Sequence, residues 1–271
     1  MWKSYSSLAI GLVVAVQSAI AQQPILSYSF DDQQNPTAND GSLGPSHNGQ
    51  LDGDTIFVSF GAAFAVSFDG SGDHVIPTGS QSVFNMGEGN FSLAATVSTS
   101  YSEPGNSNCR FVITKQNSGN LPSYSLCVRR DTGLVSFSIA NGSAFLFASS
   151  TTAVNDGESH DLFAVRNNSL LRLYVDGILE SSAAIPGAFG STNNSNPLVI
   201  GGRTPGPWVD PGDFIGIIDN VRIYNAALAP PSIPTISEWG VILMASLLIL
   251  AGAVVVSRRR RSAGRTLIET A

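Results

Sequence analysis

The chain has 271 residues, of which 13% are charged and 43% hydrophobic, and it carries a formal net charge of −6. Eight of its 14 basic residues but 18 of its 20 acidic ones fall within 22–232, which leaves that segment near −10. Such a surface repels phosphate backbones and shows no Lys/Arg stripe, which excludes a nucleic-acid partner. Acidic side chains and loop carbonyls can instead hold Ca²⁺.

Residues 1–21 read as a secretory signal. Lys3 supplies the positive start, Leu8 to Val16 the apolar stretch, and Ala19-Ile20-Ala21 a small-residue cleavage site. A first membrane helix is the rival reading, but the run is short and Gln17 and Ser18 interrupt it.

From Ile25 to Leu228 no segment shows a convincing helical period. Short alternating runs recur between Gly, Asn, Asp, Ser and Pro clusters, which is the pattern of a two-sheet sandwich. Ile25–Phe30 is the first predicted strand. Ala65–Phe68 and His74–Ile76 flank the turn Asp69-Gly70-Ser71-Gly72, and Phe91–Thr99 alternates over a long stretch. Arg110–Lys115 is expected to pair with Tyr124–Arg129. Leu134–Ile139 and Ala144–Ala148 form a hairpin around Asn141-Gly142, a dipeptide suited to φ > 0 turns. Asp161–Arg166 and Leu170–Val175 form the next pair, and Asp176-Gly177 turns into Ile178–Ser181. Leu198–Ile200 and Gly216–Tyr224 complete the set. Alternation along these strands implies one apolar and one polar face. The span 22–228 is read as one domain.

Residues 229–240 form a linker and a motif. Val241 to Val256 is then apolar apart from Ser246, and Arg258 to Arg261 follow at once. The segment 241–257 reads as a membrane span, with 258–271 cytoplasmic by the positive-inside rule and the domain outside. A buried core helix is the plainer alternative, which the four arginines oppose.

Ile233-Pro234-Thr235-Ile236-Ser237-Glu238-Trp239-Gly240, the apolar span and the arginines together resemble the IPTL-CTERM sorting signal of Gram-negative bacteria, with Ile236 in place of the usual Leu. The resemblance implies an exosortase-type membrane protease as partner and a surface or extracellular destination. Pro234 keeps the motif extended. An ordinary single-span anchor is the alternative.

The body of the chain resembles the laminin-G-like, concanavalin A-like jelly roll. The segments that carry the likeness are Tyr28-Ser29-Phe30-Asp31, Ala65 to Val75, Gly157 to Arg166, Leu173 to Gly177, Ile200-Gly201-Gly202 and Ile218 to Leu228, in the family's order. The resemblance implies an all-β sandwich of two antiparallel sheets that hosts lectins, adhesion modules and enzymes, so fold alone does not set function. It also implies Ca²⁺ at the sandwich rim, for which Asp31 and Asp219 stand at matching strand positions. Each alternatively caps a turn or pairs with an Arg. Asp69 and Asp73 read as turn residues, with a second ion as the alternative.

Cys109 and Cys127, the only cysteines, lie on neighbouring predicted strands of an exported domain and are expected to form a disulfide. Two buried free thiols are the alternative. His47, His74 and His160 are scattered without metal-ligand spacing, and His160 is given a packing role. Glu88, Glu103, Glu158 and Glu180 are isolated rather than clustered on one strand, and no nucleophile elbow occurs, so a glycosidase or hydrolase is not expected. Trp208, in the loop Gly206-Pro207-Trp208-Val209-Asp210-Pro211, is a candidate to stack on a sugar ring, with rim packing as the equal alternative. Tyr101 in the loop Ser100–Asn108 is the second candidate. The expectation is an exported, envelope-anchored module recognising a glycan or extracellular-matrix polymer, or alternatively an architectural surface protein without a small ligand.

Overall fold

A computed structural model describes residues 22–229 apart from 33, 117–121 and 204–211. Fifteen strands and two short 3₁₀ turns make up these residues, and every strand pair is antiparallel.

The strands are β1 (Leu26–Tyr28), β2 (Gly49–Asp52), β3 (Ile56–Phe60), β4 (Ala63–Asp69), β5 (His74–Pro77), β6 (Phe91–Ser98), β7 (Cys109–Lys115) and β8 (Ser123–Arg129). They continue with β9 (Leu134–Ala140), β10 (Phe145–Ala153), β11 (Ser159–Arg166), β12 (Leu170–Val175), β13 (Ile178–Ala184), β14 (Val199–Ile200) and β15 (Ile215–Tyr224). Sheet A runs β13-β12-β11-β6-β15-β4-β3, with β1 also paired to β15. Sheet B runs β10-β9-β8-β7-β14-β5-β2. This is the expected two-sheet, jelly-roll-like sandwich.

Alternation decides which side chains enter the core. Phe91, Leu93, Ala95 and Val97 of β6 face inward, as do Leu171, Leu173 and Val175 of β12 and Val135, Phe137 and Ile139 of β9. The Phe91 ring meets Tyr124 at 5.0 Å and stands edge-on to Phe137 at 5.9 Å. Two buried tyrosines keep their hydroxyls bonded: Tyr28 donates to the His47 carbonyl at 2.6 Å and Tyr124 to that of Phe84 at 3.0 Å. Those carbonyls end the 3₁₀ turns Gly44–His47 and Gln81–Phe84, so each turn is fastened to the core by a phenol.

Two details position the functional residues. Along one edge, β15 pairs first with β4, through Ile215–Ile218, and then with β1, through Val221–Ile223. Between them lies a bulge at Asn220, whose φ is +50°. Asp219 therefore stands where two neighbouring strands meet end to end. At the open side of the sandwich, Glu180 of β13 accepts from the backbone N–H and hydroxyl groups of both Thr151 and Thr152 on β10, clasping the two sheets.

The three predicted strand pairs, β7 with β8, β9 with β10 around Asn141-Gly142, and β11 with β12 around Asn167–Ser169, are all present. Strands β2 and β3 had no sequence expectation.

Candidate functional site

Cys109 and Cys127 form a disulfide that links β7 to β8 across their pairing. Asp31 follows β1, and one of its oxygens accepts the Phe64 N–H at 3.0 Å, next to the start of β4. Asp219 accepts from the Asn220 backbone N–H at 2.6 Å and from its side-chain amide at 2.9 Å. Burial pushes the Asp219 carboxyl up to about 6; the Asn220 N–H pulls it down, the nearby Asp31 charge raises it further, Arg222 opposes, and Asp161 adds to the rise. The two sequence-nominated aspartates thus share one electrostatic neighbourhood at the β1–β4 junction. Their oxygen-only chemistry fits a hard cation.

Among the described residues, the group of three acidic or histidine side chains with metal-compatible spacing is a different one. Asp54, Asp69 and Asp73 offer carboxylate oxygens within 4.8 Å of one another. Asp73 is buried and accepts the Asp69 N–H at 3.0 Å, and Asp69 accepts that of Ser71 at 2.8 Å. Turn roles for Asp69 and Asp73 are therefore present, and Asp54 joins them from the β2–β3 turn, which the sequence reading left unassigned.

Tyr101 is engaged by protein. Its hydroxyl donates to Glu103 at 2.8 Å and accepts from Arg110 at 3.1 Å, and the Arg110 guanidinium lies 4.6 Å above its ring. Glu103 pairs in turn with Arg130 at 3.3 Å. Trp208 lies outside the described residues. So do the signal segment 1–21 and Ile233, Pro234, Thr235, Ile236, Glu238, Trp239 and Gly240 of the sorting motif, together with the span 241–257. Among the described residues, no helix is long and apolar enough to cross a membrane. His160, given a packing role from sequence, stands between two carboxylates, 2.8 Å from Asp176 and 3.1 Å from Asp156.

The outer face of sheet B carries what sequence reasoning missed. Phe145 and Phe147 of β10 are 54% and 55% exposed, with ring centroids 5.9 Å apart. They oppose Ala140 and Ser138 of β9, on the side away from the core. Strand pairing continues the Phe147 row through Ser138 and Ser125 to Thr114. At ~4.8 Å per strand step the row spans about 14 Å. All three polar residues are buried, Ser138 at 6%, Ser125 at 2% and Thr114 at 0% exposure; the Ser125 and Ser138 hydroxyls bond each other at 2.7 Å. The row contains no ionisable group. Its signal was available: in a strand whose Ala148 is core-facing, alternation turns Phe145 and Phe147 outward.

The described residues thus form a lectin-like, all-β sandwich with an aromatic pair exposed on one sheet. The chain belongs to the concanavalin A-like lectin/glucanases superfamily, whose model matches residues 69–234. A second model, the IPTL-CTERM motif, matches 231–261, and it marks an exported, cell-surface protein.

No curated protein matches the sequence. Solved structures share the fold at low identity. The binding domain of Paraclostridial Mosquitocidal Protein 1 is 12% identical with a TM-score of 0.60, covering 76% of this chain and 49% of that one. The botulinum neurotoxin serotype G binding domain is 15% identical with a TM-score of 0.57, covering 76% and 48%. Domain 4 of AbnA, a GH43 extracellular arabinanase from Geobacillus stearothermophilus, in complex with arabinotriose, is 17% identical with a TM-score of 0.56, covering 76% and 94%. The chain thus matches about half the length of the two toxin binding domains.

Proposed function

We propose that this surface protein is a non-catalytic module that binds a neutral glycan on the outer face of sheet B. The observation that carries the reading is the exposed Phe145–Phe147 pair on the outer face of β10. Exposed aromatic faces take the apolar C–H face of a sugar. Phe145, Phe147 and the residues opposite them, Ala140 and Ser138, carry no charge, which favours neutral sugars over acidic ones.

Two features support this reading from outside the face. The structure of the arabinanase domain, of the same fold, is in complex with arabinotriose. Two of the four glutamates in the domain serve structural bonds: Glu180 clasps β10 and Glu103 holds Tyr101 and Arg130. Ca²⁺ at Asp31 and Asp219 would stiffen the β1–β4 junction rather than touch the sugar. The IPTL-CTERM motif supports processing by an exosortase-type protease, which would release the domain to the surface or matrix.

A glycan array probed with the purified chain, beside Phe147→Ala, tests the proposal. Binding confined to neutral glycans and lost in the variant is the expected result. Binding to sialylated or uronate-bearing glycans alone would refute it, and self-association without any glycan signal would favour the architectural reading.

A further inference from the structure

His74 opens β5 on the outer face of sheet B and is 2% exposed. One ring nitrogen, Nε2, lies 3.0 Å from Asp213 Oδ1. Asp213 is itself 1% exposed, and the Gly72 N–H donates to its other oxygen at 2.9 Å. Gly202 closes over the ring: a Cβ there would fall 2.3 Å from Nε2, so the imidazole plane is fixed by a residue that only glycine can be. A carboxylate can only accept, so Nε2 carries the proton, and in the neutral ring Nδ1 is left with a lone pair.

That Nδ1 is sealed from solvent and has no hydrogen-bond partner. Asp52, the cross-strand neighbour of His74, brings its Oδ2 to 4.0 Å from Nδ1. This oxygen is also an acceptor. Two lone pairs therefore face each other in a corner where Asp54, Asp69 and Asp73 add three further carboxylates. The 4.0 Å between the two acceptors leaves room for a cation.

We infer that His74 Nδ1 and Asp52 bind a divalent transition-metal ion, with Asp213 orienting the imidazole from behind. Zinc lies about 2.0–2.1 Å from an imidazole nitrogen and about 2.0–2.2 Å from a carboxylate oxygen, so a gap of 4.0 Å accepts the ion at a wide angle. The Asp52 side chain is 56% exposed, and its Oδ1 accepts the Gly53 N–H at 3.1 Å, which leaves Oδ2 as the ligand oxygen. The carboxylate behind the histidine is the support that metal-bound imidazoles commonly use, and it fixes which nitrogen is the ligand. A nitrogen ligand selects zinc-like ions over Ca²⁺, which takes oxygen. Water on the exposed Asp52 carboxylate would supply the remaining ligands. This inference is independent of glycan binding.

The alternative occupant of the gap is a proton, which would make His74 an imidazolium. Zinc titration of the purified, chelator-stripped full-length chain, read by calorimetry and by imidazole ¹⁵N NMR, separates the two. The chain has only three histidines, so the spectrum is assignable. We expect one zinc equivalent to move the His74 Nδ1 resonance, at least tenfold weaker binding in Asp52→Ala and in His74→Ala, and no change in His160→Gln. Asp52 is at the surface, so its variant stays informative if His74→Ala fails to fold. Zinc affinity unchanged in Asp52→Ala, or a His74 Nδ1 that keeps its proton with zinc in excess, would overturn the inference.

Discussion

Replacing Asp219 by Asn isolates the cost of keeping a charge at the β1–β4 junction. Burial, with Asp31 and Asp161 adding to it, lifts this carboxyl from the ordinary 3.8 to about 6. A folded state that holds a proton more tightly than the unfolded chain loses stability as pH rises from about 4 through about 6, and the penalty is complete above that window. The full shift corresponds to roughly 3 kcal/mol. Asp31 and Asp161 are exposed, so water screens their part, and about 1–2 kcal/mol is the working figure. Asparagine is isosteric, keeps an acceptor for the Asn220 N–H, and does not titrate. In chelator, urea denaturation at a series of pH values should therefore show Asp219→Asn gaining on the native chain by about 1–2 kcal/mol between roughly pH 4 and pH 7. Comparing the two curves cancels the carboxylates whose pKa is lowered, such as Asp131 and Asp156. If Ca²⁺ binds at Asp31 and Asp219, adding it restores the native chain and leaves the variant unmoved. Parallel curves across the whole range would refute the reasoning, because the charge would then carry no folding cost.

Removal of the disulfide by the double change Cys109→Ala and Cys127→Ala opens a loop with a sequence separation of 18 and should cost about 3 kcal/mol in urea unfolding. A loss below about 0.5 kcal/mol would mean that the β7–β8 hairpin already restricts the unfolded chain. Glu180→Ala removes the clasp between β13 and β10 and should lower stability by about 1–2 kcal/mol at neutral pH. Hydrogen bonds from Thr151 and Thr152 hold the Glu180 carboxyl below the usual range, so its contribution is present above the unfolded pKa and fades as pH falls through the folded one. A difference between native and variant chains that survives into strong acid would argue against this account.

The strands were legible where one face is core and the other is solvent. Leu93 to Ser98 and Leu170 to Val175 alternate in burial, as their sequences do. Strands β2 and β3 were not, because Gly49–Asp52 and Ile56–Phe60 lie at sheet edges and leave most of their side chains partly or fully exposed. The disulfide was legible because its strands are consecutive. The neighbourhood of Asp31 and Asp219 was legible only through family likeness, since nothing local marks the Asn220 bulge that sets Asp219 at the junction. His74 looked scattered because its partner, Asp213, is 139 residues away, and sequence spacing carries no trace of such a contact. The hydroxyl row is of the same kind. Ser138, Ser125 and Thr114 fall in line only once three strands take their register.

The central claim is that Phe145 and Phe147 form the sugar platform, and calorimetric titration tests it most directly. A neutral oligosaccharide identified on the array would be titrated into the native chain and into the double variant Phe145→Ala, Phe147→Ala. Both rings are exposed, so the variant should keep its thermal midpoint while losing affinity at least tenfold, about 1.4 kcal/mol. Unchanged affinity in a folded double variant would contradict the account and move the binding site off this face of the sandwich.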